Sequence, residues 1–319
     1  MCLLYIDYTY HHLCMSMIDV GDKPESYRTA IAQALVFFNP DIIDQIKDGN
    51  SPKGNVFEAA KISGTLGVKR TAELIPYCHP IPIDGIKVNF EIEQNFIKIM
   101  VNVNSVWKTG VEMEALTGAC VAALTIYDML KPIDESLSVG SIKVLEKHGG
   151  IGDFGETYKR KLNAVVIVVS DSRNEKQDES GKRIINALAN NGFDVVEYKI
   201  IPDEIKSIEF ELNRFCEKQN IDIIITTGGT GLGPRDVTPD ATKNIVEKEI
   251  DGIVDSLRMY GQSRTPLSML SRGIAGIKGN TIIINLPGSP TAVSQSINAL
   301  FPGIMHAFKM MTGHGHKNQ

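Results

Sequence analysis

No excess of positive charge runs through this 319-residue chain: 33 Lys and Arg stand against 38 Asp and Glu, a formal net charge of −5. A field of that sign does not recruit nucleic acid, so any phosphate chemistry must come from local groups. No run of about 18 apolar residues is present to span a membrane. The opening stretch MCLLYIDYTYHHLC meets Asp7, His11 and His12, and it lacks the basic start and small-residue cleavage site of a signal peptide. Cysteine is sparse. Cys2, Cys14, Cys78, Cys120 and Cys216 are scattered, odd in number and never spaced as CxxC, which excludes a disulfide frame or a cysteine zinc site and predicts reduced thiols in the cytoplasm. Internal repeats and low-complexity segments are also lacking.

What is present suffices for two cores. The composition is 43% hydrophobic, and at roughly 100–200 residues per domain the length predicts two domains. The glycine-rich run HGGIGDFGE at 148–156 is followed by Lys159, Arg160 and Lys161, and then by an apolar run from Leu162. That shift places the junction between Phe154 and Leu162, with domains over 1–155 and 160–319. The closing GHGHKNQ reads as a frayed tail whose two histidines lack further metal ligands.

The first half mixes element types. Residues 25–38 are spaced as a helix, Lys87–Val103 alternates as a hairpin turning at Gln94-Asn95, and Glu112–Leu130 reads as one apolar helix ended by Pro132. This is an α+β pattern, of the ferredoxin-like kind. The second half alternates short apolar strands (Ala164–Ser170, one from Asp194, Asp222–Thr227, one from Thr281) with helices such as Gly181–Asn190. Such a pattern predicts an α/β domain with a mostly parallel, doubly wound sheet whose ligands collect at the carboxyl ends of its strands.

Those ends carry a consistent chemistry. One strand runs into Ser170-Asp171-Ser172-Arg173, another into Thr226-Thr227-Gly228-Gly229-Thr230-Gly231 followed by Arg235-Asp236, and a third into Pro287-Gly288-Ser289. Glycines there either make tight turns or turn successive N–H groups inward as an anion nest. Thr238 before Pro239 has the pattern of an N-cap, which would aim a helix dipole at the same place. Asp203 and Asp236 are either solvated loop residues or the oxygen ligands of a Mg²⁺ ion shared with bound phosphates.

In the first half, ionisable groups gather in three places: Lys53, Cys78-His79, and the stretch Lys108 to Glu114 leading into the helix that ends at Asp128 and Lys131. Asp128 and Lys131 share a helix face, as a surface ion pair or as an acid–base pair; the apolar helix around them favours a perturbed lysine. Cys78 alone reads as a buried thiol, and His79 is as open to a structural role as to a functional one. If the helix is continuous, Glu114 and Asp128 stand about 21 Å apart at ~1.5 Å per residue. They serve either two ends of a large ligand or a site completed by a neighbouring subunit.

Two resemblances organise these residues. TTGGTGLGPRDVTPDAT with SDSR, IPDE, LSR and LPGSP, in the same order, resembles the molybdopterin adenylyltransferase family over nearly all of 160–319. The resemblance implies ATP- and Mg²⁺-dependent transfer of AMP to molybdopterin. Asp203 and Asp236 would be the essential metal-binding aspartates, with Ser170, Asp171, Thr227 and Arg235 beside a phosphate loop at Gly228, Gly229, Thr230 and Gly231. Pro287, Gly288 and Ser289 would take the pterin. A non-catalytic pterin-binding scaffold and a nucleotide hydrolase are the rival readings of this fold.

MIDVGDK, KGNVFEAAKISG, ELIPYCHPI, KTGVEMEALTGACVAALTIYDMLK and HGGIGDF together resemble cyclic pyranopterin monophosphate synthase over 15–155. The resemblance implies conversion of a 3′,8-cyclised GTP derivative, with loss of pyrophosphate and no tightly bound cofactor. Asp128 and Lys131 would be its acid–base groups. Arg28, Lys53 and His79 would bind triphosphate and base, and Cys78, Lys108, Glu112, Met113, Glu114 and Lys147 would line the pocket. Ile151 departs from the pattern, standing where the family often has lysine. Hexamers in this family and trimers in the other imply a homo-oligomer with a shared threefold axis.

Overall fold

The computed structural model describes residues 16–311 apart from 49, 159 and 219; the opening stretch and the GHGHKNQ tail lie outside them. The chain divides into two compact units, Met1–Gly150 and Ile151–Gln319.

The first unit runs β1 (Ser26–Phe37), α1 (Ile43–Lys47), β2 (Asn50–Ser51), β3 (Gly54–Asn55), α2 (Val56–Lys69), α3 (Thr71–Leu74), β4 (Gly85–Ile92), β5 (Phe96–Trp107), α4 (Glu112–Leu130) and β6 (Ser138–His148). Its main sheet is ordered β4-β5-β1-β6 with every pair antiparallel. The segment expected to be helical at 25–38 is therefore a strand. Its alanines and leucine carry helix propensity, but β1 sits between two partners, and Arg28, Ala30, Ala32, Ala34 and Val36 alternate onto the buried face. Pairing on both edges outweighs local propensity. The small side chains have a use: Ala30, Ala32 and Ala34 share one core with Ala115, Ala119, Ala122 and Ala123 of α4, so helix and sheet can approach closely.

The hairpin and α4 form where the pattern predicted, and Pro132 follows the helix end. By length and composition α4 is apolar enough to cross a membrane, which the count of apolar runs did not register; 56% of that window is buried inside the unit, as befits a core helix.

The second unit runs β7 (Leu162–Val169), α5 (Glu179–Asn190), β8 (Phe193–Ile201), α6 (Ile205–Glu217), β9 (Ile223–Thr227), α7 (Thr238–Ile245), β10 (Lys248–Glu249), α8 (Asp251–Gln262), β11 (Ala275–Lys278), β12 (Thr281–Leu286), α9 (Pro290–Leu300) and α10 (Met305–Met311). The sheet order is β10-β11-β12-β9-β7-β8. β12, β9, β7 and β8 pair in parallel, while β11 and β10 add an antiparallel edge that the sequence pattern did not reveal. Alternate side chains enter two cores. Ala164, Val166, Ile223 and Ile225 pack with residues of α5, α8, α9 and α10, and Val165, Ile167, Ile224 and Ile283 with residues of α6 and α7. After β8 the chain crosses β7 to lay down β9 on its other side, so the order reverses at the β7/β9 boundary. A crevice opens above the strand ends at such a reversal.

Candidate functional sites

In the first unit the expected residues fall into two clusters at the two ends of α4. At its C-terminal end, Lys131 Nζ lies 2.8 Å from Asp128 Oδ1, and Lys53 Nζ, carried on the β2–β3 turn, lies 2.7 Å from Asp128 Oδ2. Lys53 Nζ also donates to the Asp128 carbonyl at 2.8 Å. The lysine reaches the helix because Ser51 and Gly54 close a tight turn beneath it. The apolar surroundings of α4 predicted a perturbed lysine, with burial as the cause. Instead the side chains of Asp128 and Lys131 are 53% and 54% exposed, because both lie on the last turn, where the helix leaves the sheet. Their perturbation comes from each other. Hydrogen bonds from Lys131 and Lys53 hold the Asp128 carboxyl down at about 2, and Asp128 holds the Lys131 ammonium charged above its ordinary range.

At the N-terminal end of α4 the cluster is different. Arg28 donates to the carbonyls of Trp107 and Lys108, Lys147 pairs with Glu112 at 3.2 Å, and Lys108 Nζ donates to the Gly21 carbonyl. His79 Nε2 is 2.7 Å from the Ile18 carbonyl oxygen, so the MIDVGDK segment is tied to the CHP segment. Met113 is exposed beside them, whereas Glu114 is 3% exposed and its Oε2 is buried without a hydrogen-bond partner. Burial, with the charge of Glu112 adding to it, pushes the Glu114 carboxyl up to about 7, and burial with the charge of Glu114 raises the Cys78 thiol. Cys78 is thus near Glu114 and half-buried, not a core thiol.

In the second unit the expected residues converge on one place. Gly228 continues from β9 at φ +103°, where a Cβ would stand 2.3 Å from the Val169 carbonyl oxygen; Gly229 follows at φ +61°. Only glycine fits where this loop crosses the end of β7. Thr238, expected as an N-cap, is already inside α7, and Val237 is the cap. The Thr238 hydroxyl instead donates to the Gly228 carbonyl at 2.9 Å, which fixes the cradle to the helix. Thr227 Oγ1 donates to the Pro287 carbonyl at 2.6 Å, and Ser180 Oγ to that of Gly288 at 2.8 Å. The LPGSP loop is thereby held against the cradle, and Ser289 caps α9. Ser170 Oγ accepts from the N–H groups of Ser172 and Arg173, shaping the turn after β7.

The carboxylates of this site are linked. Asp171 and Asp203 exchange backbone-to-carboxylate hydrogen bonds of 3.0 and 3.1 Å, and Arg235 forks onto Asp171 at 2.7 and 2.9 Å. Desolvation, and then the charges of Asp171 and Asp236, raise the Asp203 carboxyl above its ordinary range, while Arg235 lowers that of Asp171. Asp236 Oδ2 accepts the Gly233 N–H at 2.7 Å. Asp203 and Asp236 therefore crowd negative charge beside the cradle, and a hard cation would relieve it. Among the described residues no group of three or more His, Cys, Asp or Glu could hold a metal. A cation here would need substrate oxygens to complete its shell, the usual situation for Mg²⁺.

A cavity of about 700 Å³ adjoins the cradle, lined by Gly229–Gly231, Asp236, the Pro287–Ser289 loop and apolar residues of α8 such as Val254 and Leu257. Several residues that shape this site were given no individual role in the sequence. Arg272 ties the cradle to Asp240, and Asn285, buried in β12, bridges Thr226 and Thr242 at 2.9 Å each. Asp178, fully buried, caps α5 and accepts from Tyr198. Arg272 and Asp240 fall within the motifs LSR and TTGGTGLGPRDVTPDAT without a role of their own, and Asn285 left a signal as a lone amide within the apolar run TIIINL.

Comparison with known proteins agrees with this division. Residues 17–150 match the MoaC family, and residues 165–306 match a probable molybdopterin binding domain. The chain is 38% identical to the molybdenum cofactor biosynthesis bifunctional protein of Chlorobaculum tepidum over 302 residues, covering 94% of this chain and 96% of that protein. It is 36% identical to the protein of the same description from Synechococcus elongatus, covering 94% and 98%. Its first half is 43% identical to the cyclic pyranopterin monophosphate synthase of Thermomicrobium roseum, covering 42% of this chain and 82% of that one. The chain belongs to the family of molybdenum cofactor biosynthesis bifunctional proteins.

Proposed function

We propose that the first unit converts (8S)-3′,8-cyclo-7,8-dihydroguanosine 5′-triphosphate into cyclic pyranopterin monophosphate and pyrophosphate, and that the second adenylylates molybdopterin with Mg²⁺-ATP. For the first unit, the observation that carries this is the Lys53–Asp128–Lys131 cluster. Asp128 is an anion at neutral pH, so Lys131 rests as an ammonium: it gives its proton first and can recover one afterwards. Lys53 and Arg28 offer cationic groups to a triphosphate, and Glu114 Oε2, buried without a hydrogen-bond partner, would meet a polar edge of the base. The ends of α4 are too far apart to meet on one small ligand, which supports a second copy completing each site. Ile62 and Leu66 of α2, and Leu124 and Tyr127 of α4, leave apolar surface for such a contact. A threefold-symmetric homo-oligomer follows as part of the proposal. The order β-α-β-β-α-β with its β4-β5-β1-β6 sheet supports the ferredoxin-like description, and the unpaired Cys78, Cys120 and Cys216 suit a reducing cytoplasm.

For the second unit the carrying observation is the glycine cradle beside Asp203 and Asp236. A phosphate oxygen of molybdopterin would bond to the α-phosphorus of ATP while the bond to the bridging oxygen breaks, releasing pyrophosphate. Mg²⁺ held by the two aspartates would neutralise charge on the phosphates. The chain's own part is positioning. The N–H groups of Gly229, Thr230 and Gly231 would serve the oxygens, that of Gly228 being bonded to the Leu286 carbonyl, while Arg235 can exchange Asp171 for a phosphate and the 700 Å³ cavity would take the pterin. Full-length protein given molybdopterin, ATP and Mg²⁺ should yield adenylylated pterin and pyrophosphate. Bound pterin with no such product would favour a scaffold, and pyrophosphate or phosphate release from nucleotide without pterin would favour a hydrolase.

A further inference from the structure

Arg272 follows the turn Pro266–Leu270, between Ser271 and Gly273, which line the cavity. Its backbone N–H donates to the Thr230 carbonyl at 2.9 Å, and its Nε donates to the Gly231 carbonyl at 2.9 Å. Nη2 donates to the backbone carbonyl of Asp236, and the two Nη atoms grip the Asp240 carboxylate at 3.1 and 3.0 Å. One planar group thus ties the phosphate cradle, the main chain of an aspartate beside it, and the first turn of α7. Asp240 neutralises its charge at close range, so Arg272 adds little net attraction for a phosphate. What it supplies is geometry, since a rigid fork can satisfy three acceptors in fixed directions and a lysine cannot.

We propose that Arg272 is a positioning residue for the metal-binding loop, setting where the Asp236 carboxylate points relative to Gly231 and the cavity wall. This rests on the reading of Asp203 and Asp236 as Mg²⁺ ligands. The carboxylate accepts the Gly233 N–H at 2.7 Å, a bond within the same loop, so its aim follows the main chain that Arg272 holds.

The test is a Mg²⁺ titration of nucleotide binding, read with a fluorescent ATP analogue on the full-length chain, which requires no turnover. Arg272→Lys keeps the charge and loses the fork. It should raise the half-saturating Mg²⁺ concentration about tenfold, the equivalent of one charge-assisted hydrogen bond, while the unfolding midpoint and cyclic pyranopterin formation by the first unit stay as in the wild type. Asp240→Asn keeps the arginine but loosens its anchor and should give a smaller shift of the same sign, which secures the test if Arg272→Lys fails to fold. A half-saturation within about twofold of wild type in the folded variants overturns the proposal. Asp236→Asn reports on the underlying reading. A Mg²⁺ dependence unchanged there removes the metal-ligand assignment itself, whereas a change there with none in Arg272→Lys overturns only the role of the arginine.

Discussion

The two sites, as proposed, share a class of ligand and divide their labour between side chain and backbone in opposite ways. In the first unit the proposed chemistry sits on exposed side chains, Lys53, Asp128 and Lys131, gathered at the C-terminal end of a buried helix. In the second it sits on a backbone held open by glycines, with hydroxyls of Thr227, Thr238 and Ser180 lashing the loops together. The difference matches the reactions assigned to them. Proton transfer needs an ionisable atom that can approach and retreat, whereas phosphoryl transfer needs fixed dipoles and neutralised charge.

The largest effect should therefore come from a side chain in the first unit. Lys131→Ala should lower cyclic pyranopterin monophosphate formation by ~10³-fold, with adenylylation by the same molecule untouched. Near-normal turnover would end the comparison, because the exposed cluster would then be a surface ion pair. In the second unit the equivalent blow is to the backbone. Gly228→Ala places a Cβ against the Val169 carbonyl in a left-handed conformation, and should cost about 2–4 kcal/mol in denaturant unfolding of that unit along with nucleotide binding. An alanine tolerated there would show that the cradle is not built on φ.

The smallest effect sharpens the picture within the first unit. Glu114 is raised to about 7 by burial, so its proton is bound more tightly in the folded chain than in the unfolded one. The stability this confers is complete below the ordinary carboxyl range and is lost as pH rises from about 4.5 to about 7, by up to about 3 kcal/mol. Glu114→Gln should flatten the pH dependence of the unfolding midpoint across that window. An unchanged profile would mean that the carboxyl is paired in solution.

Much of this was legible in residues 108–131 and 226–242, where spacing and residue type act locally: an apolar stripe makes α4, and glycines after an apolar strand make the cradle. What was not legible depends on distant partners. β1 reads as a helix from its alanines and becomes a strand only because β5 and β6 flank it. Thr238 has the pattern of a cap, yet Gly228, ten residues earlier, claims its hydroxyl. Arg272 and Asp240 are 32 residues apart, and neither announces the other. The exposure of Asp128 and Lys131 is not legible for a related reason, since apolar composition describes a helix as a whole and not the direction in which its last turn points.

The length of α4 has a genetic consequence. If each first-unit site draws Lys131 from one chain and Glu114 from another, two alleles crippled at opposite ends of this helix are not equivalent to two copies of either. Mixed assemblies would pair a damaged end with a damaged end at some sites and an intact end with an intact end at others. Two inactive chains expressed together would then recover part of the function that neither has alone.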